Sequence, residues 1–214
     1  MFHPCSGFLI SSTAFATAGH CVVFAQALQD EVGGTIGVSF DPIFDPVTSS
    51  FVAAASATIH PEFLANQHSN KTPDMAVLAL EAPIEGVEPI ELPEQGAAER
   101  LSNGSQLTTV GYGATRDCTD PGPCQLVDEP ARRFATETLN SVSQWFITVN
   151  QNPASGEGGV CFMDSGGPHL LPGTNTAVAL TTAAPGFCSA TSRDVRIDTA
   201  TALSFLTAQL GPSQ

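Results

Sequence analysis

Basic residues are scarce in this chain. Its 214 residues include 7 Lys and Arg against 21 Asp and Glu, and Lys71 is the single lysine, so the formal net charge is −14. No basic patch is available to neutralise phosphates, which argues against nucleic-acid binding. The acidic excess reads as a solvated, soluble surface. Long apolar runs are also lacking. No stretch of 18 apolar residues occurs, so no membrane span is expected. CxxC pairs and HExxH runs are missing, which removes the common zinc patterns, and no metal or other cofactor is expected. The opening Met1-Phe2-His3-Pro4 has neither the basic nor the apolar region of a signal peptide.

What the chain does have is turns. With 19 Gly, 16 Pro and 42% hydrophobic residues, many short strands are favoured over long helices. Residues 7–17 read as two strands around Ser11-Ser12. Thr35–Phe40 and Phe51–Ile59 read as strands flanking a Pro- and Asp-rich turn at 41–46, and Met75–Leu80 as a compact apolar strand. Residues 83–105 are rich in Pro, Glu and Gly and read as a link. Strands are then expected at Gln106–Tyr112, Arg133–Leu139, Trp145–Val149, Pro168–Leu171, Ala177–Thr182 and Asp194–Asp198, with a surface loop over 114–131. A helix from Asp198 or Thr199 to Leu210 would place Leu203, Leu206 and Leu210 on one face.

Three short motifs carry chemistry. Asp164-Ser165-Gly166-Gly167-Pro168 sits in a glycine-rich turn, Thr17-Ala18-Gly19-His20-Cys21 holds a histidine, and Asp74-Met75-Ala76-Val77-Leu78 opens on an aspartate. Serine is a weak nucleophile that needs a base, and the base needs an orienting acid. The three motifs, in the order His, Asp, Ser, resemble those of the chymotrypsin/trypsin family of serine proteases, as does Gly111-Tyr112-Gly113. The order separates them from subtilisin and the α/β-hydrolases. The resemblance runs from Cys5 to the C-terminal helix.

That resemblance implies an all-β fold of two six-stranded antiparallel barrels with a closing helix. One half, 1–92, would carry His20 and Asp74. The other, 93–214, would carry Ser165. Only four residues precede Cys5, so the first barrel is expected to lack its N-terminal strand and an upstream segment to be missing. The implied activity is hydrolysis of peptide bonds through an acyl-enzyme: His20 as base, Asp74 as its orienting acid, Ser165 as nucleophile, and the backbone N–H groups of Met163 and Ser165 as the oxyanion hole. Met163 departs from the family, which has Gly there. Asp164 matches the aspartate that in many members pairs with a freed N-terminus. Gly159 stands where trypsin-like members carry an Asp for Lys or Arg side chains, so with Thr182, Ala183, Ala184 and Ser192 it implies a pocket for an uncharged side chain. The partner is a peptide or protein substrate. A catalytically weak or silent homologue acting as a binding protein is the alternative.

The six cysteines form an even set. The resemblance implies bridges Cys5–Cys21, across the histidine loop, and Cys161–Cys188, beside the specificity pocket. Cys118 and Cys124 remain to pair with each other. Such bridges imply an oxidising compartment, hence secretion. His3, His60, His68 and His169 lie in no comparable context and are read as surface or structural residues.

Overall fold

A computed structural model of the chain describes residues 5–66, 72–118, 124–184 and 186–210; His3 and His68 lie outside them. In the first half, β1 (Phe8–Ser11) and β2 (Ala14–Thr17) form a hairpin. The Ser11 hydroxyl closes its turn by accepting from the Ala14 N–H at 3.0 Å. β3 (Gly37–Val38), β4 (Val52–Ile59) and β5 (Ala76–Leu80) complete a five-stranded sheet of order β1-β2-β5-β4-β3. The central β5 is buried on both faces, which is why Met75–Leu80 is nearly all apolar. Its Val77 joins Phe8, Ile10 and Ala16 in a core shared with Leu180, Ile197 and Leu206 of the second half. Its Leu78 and Leu80 pack the other way, onto Leu9, Val22 and Val38.

The second half is a closed six-stranded barrel. Its strands are β6 (Gln106–Gly111), β9 (Arg133–Val142), β10 (Phe146–Asn150), β11 (Pro168–Leu170), β12 (Ala177–Leu180) and β13 (Thr191–Arg196), in the order β10-β13-β12-β11-β6-β9. Closure removes the open strand edges. Helix α3 (Ala200–Ala208) then crosses back to the first half. Thr199 caps it by accepting from the Ala202 N–H at 3.2 Å, and Ala202 and Leu206 are its buried residues. The protein is thus all-β, with a closed barrel, an open five-stranded sheet and a C-terminal helix among the described residues.

Several elements differ from expectation. A 14-residue helix, α1 (Gly19–Val32), carries the histidine in its first turn, where the sequence suggested no element. Only its first turn is buried, at Gly19, Cys21 and Val22, so it carries no apolar stripe to betray it. Its C-terminal end at Gly33 has a φ of 75°, and the Gly33 N–H bonds the Gln29 carbonyl. A short helix, α2 (Pro61–Ala65), is also new, with His60 as its cap. The 114–131 segment holds a small hairpin, β7 (Thr115–Asp117) with β8 (Gln125–Val127). β13 starts three residues earlier than the sequence suggested. The Asp-rich loop is a turn, as its composition predicts: Asp45 Oδ1 accepts from the Val47 and Thr48 N–H groups, and Asp41 accepts from the Ser50 amide and hydroxyl.

Candidate active site

His20 enters on the first turn of α1, directly after β2. Asp74 lies two residues before β5, and β5 pairs with β2 in the register Thr17↔Ala76. That pairing brings together two residues 54 positions apart. His20 Nδ1 stands 2.7 Å from Asp74 Oδ2, and the His20 backbone N–H donates to Asp74 Oδ1 at 2.8 Å. Both carboxylate oxygens are therefore spent on one histidine. The imidazole remains 39% exposed and the carboxylate only 16%, so part of the ring faces solvent while the acid is shielded.

Ser165 arrives from the other half, on the loop before β11. The Ser6 N–H donates to the Ser165 carbonyl at 2.9 Å. Gly166 has a φ of 88°, and a Cβ there would stand 2.8 Å from the Ala18 nitrogen. Only glycine permits that approach, which seats the serine loop against the segment that leads into His20. The Ser165 hydroxyl itself makes no hydrogen bond among the described residues. Its backbone carbonyl lies 3.7 Å from Cys21 Sγ, next to His20 in the chain.

Around the serine, the N–H groups of Asp164, Gly166 and Gly167 are taken by the carbonyls of Cys161, Thr181 and Asp164. Those of Met163 and Ser165 have no acceptor among the described residues. Met163 holds a φ of 74°, in the left-handed region that a side chain disfavours.

Ser6 joins this site without a signal in the sequence. Its hydroxyl donates to the Met163 carbonyl at 3.0 Å and accepts from the Tyr112 N–H at 3.0 Å. Its carbonyl accepts from the Thr17 hydroxyl at 2.8 Å. The Cys5–Cys21 bridge ties the same segment to the residue after His20. Serine after cysteine carries no local signal of this role.

Asp164 is buried beneath the loop. Its oxygens accept from the Gly113 N–H at 2.7 Å and the Cys161 N–H at 2.8 Å. Gly113 must be glycine, since a Cβ would overlap this carboxylate. Burial pushes the Asp164 carboxyl up to about 6, against those two N–H bonds, which favour the charged form.

The specificity residues divide. Gly159 lines a cavity of about 270 Å³ together with Gln151, Cys161, Asp164 and Cys188. Gln151 fills the space a side chain at Gly159 would need, and each end of its amide is bonded, donating to the Val160 carbonyl and accepting from the Val160 N–H. Thr182, Ala183, Ala184 and Ser192 do not line that cavity. Thr182 and Ser192 converge instead on Asp194: the Thr182 N–H donates to Asp194 Oδ1 at 3.2 Å and the Ser192 hydroxyl bonds Oδ2. Ala183 is exposed and Ala184 half-buried.

Three disulfides are formed: Cys5–Cys21, Cys118–Cys124 and Cys161–Cys188. The Cys5, His20, Cys21 grouping offers no metal centre, because both sulfurs are committed to a bridge. His60 is buried, its ring against Phe205 of α3. His169 is fully buried and paired with two carboxylates, and is no surface residue.

A family model described as Trypsin matches residues 2–206. The chain is 28% identical over 181 residues to a trypsin of Phaedon cochleariae, covering 81% of this chain and 66% of that protein's length. Among solved structures, HL collagenase superposes with a TM-score of 0.69 at 17% identity, covering 98% of this chain and 87% of that one. Human heparin binding protein superposes at 0.66 with 18% identity, covering 98% and 88%. These two likenesses carry the fold.

Proposed function

Because the chain belongs to the trypsin family, we propose that it is a serine endopeptidase in which His20, Asp74 and Ser165 form the catalytic triad. The pairing of His20 Nδ1 with Asp74 at 2.7 Å, beside the serine loop, is the observation that carries this reading. With Nδ1–H donated to Asp74, Nε2 is left as the acceptor for the Ser165 proton. Ser165 Oγ then attacks the scissile carbonyl, whose developing oxyanion meets the N–H groups of Met163 and Ser165. His20 returns the proton to the leaving amine, and water repeats the sequence in reverse to release the acyl group.

The side chain before the cleaved bond is uncharged in this reading. Gly159 supplies no carboxylate, and Gln151 occupies the space where one would stand. Secretion is part of the proposal, supported by three disulfides, which persist in oxidising compartments. No helix among the described residues is long and apolar enough to cross a membrane.

The test is covalent. A fluorophosphonate should label Ser165, with labelling lost in Ser165→Ala and the same protein cleaving a neutral peptide substrate. Labelling elsewhere, or none in folded protein, overturns the enzyme reading. Met163 at a φ of 74° favours a second reading, a silent homologue that binds rather than cleaves. An anionic ligand such as heparin does not suit that role, since the chain carries a formal charge of −14.

A further inference from the structure

Tyr112 is the single tyrosine of the chain, and it sits between two glycines just after β6. A Cβ at Gly111 or at Gly113 would overlap the Asp164 carboxylate, so neither flank can carry a side chain. The backbone of this run lies against the serine loop. The Ala114 N–H donates to the Phe162 carbonyl at 3.0 Å, and the Gly113 N–H to Asp164 Oδ1 at 2.7 Å. The Tyr112 N–H donates to the Ser6 hydroxyl, which donates in turn to the Met163 carbonyl. Three successive loop residues, 162–164, are thus held from 112–114.

The Tyr112 side chain goes to the other half. Its hydroxyl donates to the Asp41 carbonyl at 2.7 Å. That carbonyl belongs to a braced turn. The Ser50 amide and hydroxyl hold the Asp41 carboxylate. The Phe44 N–H donates to the Pro130 carbonyl at 2.7 Å, and the Arg132 N–H to the Pro42 carbonyl at 2.7 Å. The Arg132 guanidinium donates to the Phe40 carbonyl at 3.0 Å. A half-buried phenol bonded to such a turn restrains the backbone that carries it. We propose that Tyr112 is a positioning residue for the serine loop: its hydroxyl anchors 112–114 to the first half, and that segment holds 162–164 where Ser165 needs them.

The anchor touches no substrate and acts through the loop. The Met163 N–H, an oxyanion donor in the proposed mechanism, lies in the stretch it holds, and small displacements of such donors slow the reaction. The contact also marks the phenol itself. Burial holds it above its ordinary value, against the charge and hydrogen bond of Arg132, and the Asp41 carboxylate adds to the rise.

Because this role rests on the serine-protease reading, two of its three measurements need no chemistry at Ser165. With one tyrosine in the chain, an ultraviolet titration reads Tyr112 alone. The phenol of the folded protein should ionise above about 10. Tyr112→Phe removes the hydroxyl and keeps the ring. In that variant the bonded amides of Cys161, Asp164, Gly166 and Gly167 should exchange hydrogen faster by about threefold or more. Fluorophosphonate labelling of Ser165 should slow by about threefold or more. Thr199→Ala, which removes the cap of α3 at a similar cost in stability, should change neither. Ionisation at or below about 10, loop exchange quickened by less than about threefold, or exchange quickened equally in Thr199→Ala overturns the anchor. Quickened exchange with an unchanged labelling rate overturns the positioning role. The wild-type titration decides alone if Tyr112→Phe does not fold. A wild type that takes no label, with loop exchange quickened in Tyr112→Phe alone, would sink the enzyme reading and leave the anchor standing.

Discussion

Ser6 and Met163, 157 positions apart, are joined by one hydrogen bond from the Ser6 hydroxyl to the Met163 carbonyl at 3.0 Å. Through it the segment bridged to Cys21 holds the loop of Ser165. A single small side chain thus couples the half that supplies His20 to the half that supplies the nucleophile.

Ser6→Ala removes this donor and leaves the Tyr112 N–H without its acceptor. Destabilisation of about 1–3 kcal/mol is expected in thermal or denaturant unfolding. Fluorophosphonate labelling of Ser165 should slow in parallel. Unchanged stability together with an unchanged labelling rate would mean that the hydroxyl contributes nothing to the loop.

Met163→Gly relieves a φ of 74°. The left-handed conformation costs a side-chain residue about 1–2 kcal/mol, offset by about 0.5–1 kcal/mol of extra chain entropy lost by glycine. The variant should melt at the same temperature or slightly higher, with kcat changed by less than about tenfold, because the backbone donor remains. A fall of about 10²–10³ in kcat, the scale of one lost donor, would show that the methionine side chain itself positions the loop.

Asp74→Asn should lower kcat by about 10⁴, because the amide favours the wrong imidazole tautomer. The fold should survive, since the asparagine oxygen can still accept the His20 N–H that Asp74 Oδ1 accepts now. A loss below about tenfold would separate this pair from the chemistry.

Asp164 predicts a pH dependence. Burial raises its carboxyl from 3.8 to about 6, so the folded state binds this proton more tightly than the unfolded state. The stabilisation from that proton is full below the unfolded value and is lost as pH rises from about 4 through about 6. Denaturant titrations across that window should show stability declining with pH by an Asp164-dependent component of about 3 kcal/mol or less. Asp164→Asn should remove that component. A variant with the same slope as the wild type would refute it.

Much of the fold and of the proposed site was legible because chemistry imposes local residue choices. A nucleophile in a tight turn needs Ser165 flanked by glycine, and a buried pairing strand makes 75–80 apolar. The closing helix with its Thr199 cap and most of the strands could be read in the same way, while the cysteine pairs came from the family resemblance. Helix α1 could not, because only its first turn is buried and no apolar stripe marks the rest. The roles of Ser6, Asp164 and His169 were also beyond reach. His169 read as one more isolated histidine until barrel closure set β9, β11 and β13 around a common interior. The sequence by itself determined which residues could act as nucleophile, base and acid, since those identities are matters of side-chain chemistry within a few residues. Only the tertiary structure decided which backbone groups hold Asp164, that Ser6 ties the halves together, and that Glu137, His169 and Asp194 share one buried core. Those relationships join strands tens of residues apart, and their energies come from burial and pairing that no local segment possesses alone.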